Sequence, residues 1–344
     1  MYKKLSLGLA AVLLTVLLAL SGCGGGSDQK NSGSSKPSEK PQSGDQTLGP
    51  VKVTLVGGSV GGTWAALGEG IGEAIRRTAP NSSFGYQPGQ DGANVVTVMS
   101  GQAELGINYV VLAKAAYEGR EPYQQKFENL RAICQVAPLT FQFLATEKSG
   151  IKSFQDLKKR PAIIGVNTKN GTMELAARTI LEEHGVTYQD IEKAGGKVLY
   201  LASGPILDMM KDGRADGRTT IANLPEAKIT DASMMTKMVI IPPDKDALER
   251  TISKLGVSPS KVPKGTYSFV NEDVPSFEVP IMILCSKDLP EKTAYTVTRA
   301  IVEQLPYLKT VYAGMADDTP ESICKTPILL HPGAEKYYRD KGLL

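Results

Sequence analysis

The sequence predicts a two-lobed α/β fold with a ligand cleft between the lobes. Three observations carry that expectation. Residues 57–63, Gly-Gly-Ser-Val-Gly-Gly-Thr, stand between an alternating run and a helix-like one. A second strand–turn–helix unit of the same order follows later in the chain. The body beyond residue 50 has roughly 300 residues, a length at which two units are the natural division.

In the first unit, Val51–Val56 alternates and reads as a strand, the glycine-rich turn follows, and Trp64 to about Arg77 reads as a helix. Four glycines let the backbone approach a ligand, and Thr63 is placed to cap the helix. A helix N-terminus carries unpaired N–H groups and partial positive charge, so this turn is a candidate cradle for a carboxylate or phosphate. A tight turn that needs glycine for its own sake is the plainer alternative. Ser83–Gln87 is the next strand, Asp91-Gly92-Ala93-Asn94 opens a second helix, and Leu105–Tyr109 is a third strand.

The second unit repeats the plan. Pro161–Val166 is a strand, Asn167-Thr168-Lys169-Asn170-Gly171-Thr172 a turn, and Met173–His184 a helix. Lys197–Leu201 is a strand, Ser203-Gly204-Pro205 opens a helix with Ser203 suited to cap it, and a strand lies near Arg218–Ala222. Gly101-x-Ala-Glu and Gly213-x-Ala-Asp echo each other at the helix ends, where glycine suits the position just past the last turn. Ligands of open α/β sheets bind at the carboxyl ends of strands. Thr140–Thr146 and Val279–Leu284 are the segments expected to cross between lobes, and Thr293–Lys309 reads as one amphipathic helix returning to the first lobe. A single large sheet without a hinge is the alternative.

The N-terminus sets the compartment. Lys3 and Lys4 precede an apolar run from Leu5 to Leu20, so residues 1–22 read as a secretory signal, too short an apolar run for the ~20 residues a membrane span needs. Leu20-Ser21-Gly22-Cys23 resembles a bacterial lipobox, which implies cleavage before Cys23 and lipid on its thiol. Residues 23–50 are dominated by Gly, Ser, Lys, Pro, Gln and Asp and read as a flexible tether. The expected location is extracytoplasmic, lipid-anchored to the cell membrane. Net charge is +3 with no sustained basic stretch, which gives nucleic-acid binding no support. Cys134, Cys285 and Cys324 lie far apart without a C-x-x-C, so no metal site is expected. One disulfide among the three stays open. No cofactor motif is present, and a monomer is expected.

Several blocks carry a family resemblance. Ser149-Gly-Ile-Lys-Ser-Phe-Gln-Asp-Leu157 resembles the segment after the hinge of many two-lobed solute-binding proteins. Gly58-Ser-Val-Gly-Gly-Thr-Trp64, Asp190-Ile191, Val262-Pro-Lys-Gly-Thr-Tyr267, Glu272-Asp-Val-Pro275 and His331-Pro-Gly-Ala-Glu-Lys-Tyr-Tyr-Arg-Asp-Lys-Gly342 together resemble the TAXI family of TRAP-transporter-associated extracytoplasmic proteins. The resemblance covers about residues 51–344. It implies a periplasmic-binding-protein fold of the type with two crossing strands, capture of a small organic acid such as an acidic amino acid or dicarboxylate, and delivery to a TRAP membrane permease. Trp64 matches an aromatic position of the family. Lys169-Asn170-Gly171-Thr172 keeps only the last two residues of its second turn, and Asn108-Tyr109-Val110-Val111 is less polar than its counterpart. The expected lobes are 51–142 with the return segment 279–344, and 143–278.

The candidate ligand residues of the first lobe are Ser59, Gly61, Gly62, Thr63, Trp64, Gln87, Asp91, Gly92, Asn94, Asn108 and Tyr109. Those of the second are Asn167, Lys169, Gly171, Thr172 and Asn223. Lys169, the cation in these turns, suits a second carboxylate, with a solvated loop lysine as the alternative. Asp91 suits a helix cap or an amino group. Two other classes compete. Gly57-Gly58-Ser59-Val60-Gly61 fits G-x-S-x-G, the elbow of a secreted serine hydrolase using Ser59 with His184 or His331. Against it, only the tether precedes the elbow, whereas the hydrolase oxyanion hole takes an earlier loop. A ligand-free surface antigen fits the anchor and tether equally well, but has no use for two anion-ready turns.

Overall fold

The structure is a computed structural model that describes residues 49–344. The signal segment, Cys23 and nearly all of the tether lie outside the described residues.

The chain runs β1 (Lys52–Val56), α1 (Thr63–Thr78), β2 (Ser83–Gln87), α2 (Ala93–Met99), β3 (Leu105–Tyr109) and α3 (Val110–Glu118) into the long β4 (Leu130–Thr146). It continues through β5 (Ile163–Gly165), α4 (Thr172–Glu183), α5 (Tyr188–Lys193), β6 (Lys197–Leu199), α6 (Ser203–Lys211), β7 (Gly217–Ala222), α7 (Ala227–Ser233), β8 (Met238–Ile240), α8 (Lys245–Leu255) and β9 (Ser258–Val262). A second long strand, β10 (Val274–Ser286), leads back to α9 (Glu291–Glu303), α10 (Leu305–Val311), α11 (Pro320–Ile323) and α12 (Pro332–Asp340).

The strands form one sheet in the order β2-β1-β3-β10-β4-β7-β5-β6, with β8 paired to β4 and β9 to β10. Its logic is a duplicated plan. The first half is a parallel trio with β1 between β2 and β3; the second is a parallel trio with β5 between β6 and β7. The strand nearest the middle of each trio's sheet, β3 or β7, pairs antiparallel with β10 or β4, and those two pair antiparallel with each other. The expected crossing segments are therefore parts of β4 and β10, and the expected lobe boundaries at 142/143 and 278/279 fall inside these strands.

Both halves end their second helices as the sequence suggests, with Gly101 at φ +72° and Gly213 at φ +71° just past the last turn. Left-handed backbone there costs glycine nothing. One expected helix is two. The run from Thr293 breaks at Gln304, because Pro306 has no N–H to continue the ladder and sits instead in the first turn of α10. The main core packs Leu55, Ile71, Ile107, Ile283, Val297 and Tyr338. A second cluster, Leu144, Ile206, Met210, Ile229 and Tyr267, covers the other face of the sheet in the second half. Cys134, Cys285 and Cys324 are all buried free thiols, so the open disulfide does not form.

Candidate functional site

The two turns that open α1 and α4 have the same geometry. Gly62 N–H donates to Ser59 O at 3.0 Å, and Gly171 N–H to Thr168 O at 3.1 Å. Gly61 sits at φ +76° and its counterpart Asn170 at φ +63°, a region that glycine and asparagine tolerate best. Gly62 and Gly171 then take the extended N-cap position at φ −82° and −87°. Thr63 is therefore the first helical residue and not the cap, a correction to the sequence expectation; the cap has no side chain. Ser203 is likewise the first residue of α6, behind Ala202.

The first turn is open to solvent at Ser59, Gly61 and Thr63, while Trp64 is half-buried with its ring 5.0 Å from that of Tyr109. Tyr86 Oη donates to Gly58 O at 2.8 Å and fixes the turn over β2. Asn94 is buried and spends its polar atoms on scaffolding: its amide donates to Gly57 O at 3.0 Å and Ile107 O at 2.7 Å, and its oxygen accepts from Gln90 N. Gln87 is exposed at the end of β2.

The second turn meets the first half directly. Asp91 Oδ2 accepts from Thr172 N at 2.9 Å, and Asp91 Oδ1 from Tyr109 N at 3.4 Å. A Cβ built on Gly92 would stand 3.9 Å from Asn170 O. Arg178 on α4 lies 3.7 Å from Glu121 of the first half. Asn167 holds its left-handed φ of +71° with Oδ1 accepting from Thr168 N and its amide donating to Ser203 Oγ. Lys169 is exposed, with Nζ 5.7 Å from the centre of the Tyr200 ring. Asn223 is half-buried after β7.

Sequence reasoning missed a buried polar group on the second half's wall. Arg218 is 1% exposed. It donates to Ser203 O at 2.9 Å and pairs with Glu226 Oε2 at 2.7 Å, while its Nε–H has no partner. Burial holds its pKa below the usual arginine value, and the Glu226 charge opposes that fall. Gln142 shares its face of the sheet, because Thr220 pairs with Gln142 and Arg218 with Leu144. Its amide is buried beside the Tyr267 hydroxyl, and that of Asn108 on β3 beside Tyr123, with neither amide in a well-formed hydrogen bond. Tyr267 Oη accepts from Glu226 N at 2.9 Å. Burial pushes the Tyr267 hydroxyl up to about 12. The one signal in the sequence was an arginine starting an otherwise neutral strand, with a glutamate eight residues on.

Buried polar atoms are nearly always satisfied, so Asn108 on β3, Gln142 on β4 and Arg218 Nε on β7, with the Thr172 and Thr219 hydroxyls, stand out among the described residues as groups with hydrogen-bonding capacity to spare. The histidines are not among them. His184 Nδ1 lies 2.7 Å from Ile180 O, and its Nε2 accepts from Asp244 N at 2.9 Å. His331 Nδ1 accepts from Gly333 N at the start of α12, with Nε2 3.2 Å from Lys287 O. Both rings are committed to backbone contacts.

Two parallel α/β trios joined by two antiparallel crossing strands define the fold of periplasmic solute-binding proteins. A TctC solute binding protein from Polaromonas is similar at 14% identity, with 85% of this chain and 97% of that one covered and a TM-score of 0.52. The PhnD1 protein of Prochlorococcus marinus, solved with methylphosphonate, is similar at 11% identity over 85% and 99% of the two chains, with a TM-score of 0.54. Residues 55–342 match the NMT1-like family, and the chain belongs to that family.

Proposed function

We propose that this protein is a solute receptor that captures a small organic acid outside the cytoplasm and delivers it to a membrane permease of the TRAP type. The observation that carries the reading is a group of under-satisfied buried polar atoms on the central strands, Asn108 on β3, Gln142 on β4 and Arg218 Nε on β7, in a fold whose two halves touch through Asp91 and Thr172. A scaffold without a ligand would leave those groups uncompensated, at a cost of ~1–3 kcal/mol each. The fold and family support the class, and the sequence blocks support a receptor of the TAXI type held to the membrane by lipid on Cys23. In this reading lobes 51–142 with 279–344, and 143–278, close as a monomer about β4 and β10, and ligand favours the closed form. The turns at Ser59–Trp64 and Asn167–Thr172 line the cleft.

The solute is returned chemically unchanged. A receptor is stabilised by mass action, by about 2.7 kcal/mol at a ligand concentration 100 times Kd. Melting temperatures across a panel of organic acids, with mass spectrometry of whatever co-purifies, test this. A flat panel with no co-purified solute favours the surface antigen. Turnover of a bound compound sinks the receptor.

A further inference from the structure

We infer that Asp91 makes this protein select solutes with a single carboxylate, by filling with its own carboxylate the anion position that the second half would otherwise offer. The inference rests on the solute-receptor reading and narrows its substrate class.

The two matched turns set up the comparison. α1 and α4 each start behind a glycine cap that supplies no side-chain oxygen. Each helix start therefore presents free N–H groups and a positive dipole end. At α4 the first of these N–H groups is already taken. Asp91, brought across from the first half, accepts the Thr172 N–H at 2.9 Å. Its neighbour Gly92 lies close to the Asn170 carbonyl, which would stand 3.9 Å from an added Cβ, so the two segments meet beside the N–H that Asp91 takes.

Charge points the same way. Arg218, a cation buried on the second half's wall, is already neutralised by Glu226 at 2.7 Å. Lys169 is exposed beside the Tyr200 ring. Asp91 adds a carboxyl whose charged form burial disfavours and the N–H groups of Thr172 and Tyr109 support. A solute that set its second carboxylate at the α4 start would bring that charge beside Asp91, with the Arg218 charge already spent on Glu226. A solute with one carboxylate, or with one carboxylate and an ammonium group, meets no such penalty. The expectation of a dicarboxylate or acidic amino acid came from the family resemblance, with Lys169 as a candidate second contact, and Asp91 narrows it.

Isosteric pairs test the inference: glutamine against glutamate, and glutaramate against glutarate, titrated by calorimetry into the mature body. We expect the amide member to bind at least tenfold more tightly than its dicarboxylate partner. Asp91→Asn, whose amide oxygen still accepts from Thr172 N, should narrow that gap to threefold or less. A wild-type preference for the dicarboxylates, or a gap that Asp91→Asn leaves unchanged, overturns the inference. Failure of these and all other organic acids to bind overturns the receptor reading, and the inference with it. A ligand-free readout stands apart from both: in Asp91→Ala, amide exchange at Thr172 should rise at least tenfold, and unchanged exchange would show that Asp91 does not hold that position.

Discussion

Arg218 and Glu226 form a buried ion pair at 2.7 Å on the wall of the second half, with the arginine almost wholly enclosed and one of its N–H groups free. Taking one partner from such a pair strands a charge, which costs roughly 3–5 kcal/mol, whereas replacing both with apolar groups of similar volume is often near neutral. Glu226→Leu alone should therefore destabilise strongly. Adding Arg218→Met should recover most of the loss and still abolish solute binding. Urea unfolding of the two single variants and the double variant, followed by ligand titration, separates the two roles. A double variant that binds normally would remove Arg218 from the site.

The pair also shows what the sequence could and could not disclose. β2 and β3 lie where the alternation and flanking turns put them, and the glycine past each second helix marks its end because left-handed backbone is a local property. Arg218 was legible only as the start of a strand. Its meaning depends on Glu226 and Ser203, which reach it through the fold. The crossing strands were half legible. Pro138 and the left-handed Ala137, at φ +53°, interrupt the alternation of β4, and its pairing with β10 shifts register nearby. Pairing with β10, and not local propensity, carries the strand through. The trans cap of α4 by Asp91 was invisible because its partners lie 81 residues apart.

Ala137 supplies a pH prediction. Its N–H donates to Asp318 Oδ2 at 2.8 Å, and burial pushes the Asp318 carboxyl up to about 6 despite that bond. The folded state then holds a proton that the unfolded chain, near the ordinary aspartate value of about 3.9, releases. Stability from this group is greatest below about pH 4 and falls as pH rises towards 6, by about 2–3 kcal/mol at 1.36 kcal/mol per unit. Asp318→Asn should flatten that stretch of the stability–pH curve relative to wild type. Parallel curves for the two proteins between pH 4 and 6 would show that Asp318 does not titrate there.

His184 has a scaffold role that an activity assay can separate from catalysis. Its ring stacks on Phe154 at 3.8 Å and accepts from Asp244 N, joining α4 to the start of α8. Burial holds its pKa below the usual histidine value, so protonation costs stability as pH falls below about 6.5, through the depressed folded value. His184→Ala should lower stability by ~2 kcal/mol, in the range for losing a buried packing group and a hydrogen bond. Solute affinity should stay within a factor of two. Ser59→Ala should leave esterase background unchanged, and loss of a real hydrolytic signal in that variant would restore the nucleophile elbow.

Trp64 is the sole tryptophan of the chain, which makes it a reporter of the first turn. Its ring leans on Tyr109 at 5.0 Å and 59°, and Tyr109 in turn has its backbone N–H directed at Asp91, the residue that reaches the second half. On the receptor reading, closure around a solute would tighten this chain of contacts, and the indole environment should then change on binding. We expect the emission of the wild-type protein to shift and saturate with ligand. Tyr109→Leu should keep the fold, because the site stays apolar, but reduce the shift and weaken affinity by about tenfold, or ~1.4 kcal/mol. Trp64→Phe should retain a ring on Tyr109 and lose less affinity than Trp64→Ala. If emission stays constant through saturation, and both Trp64 variants bind as wild type does, Trp64 is a packing residue of α1 and the solute lies elsewhere.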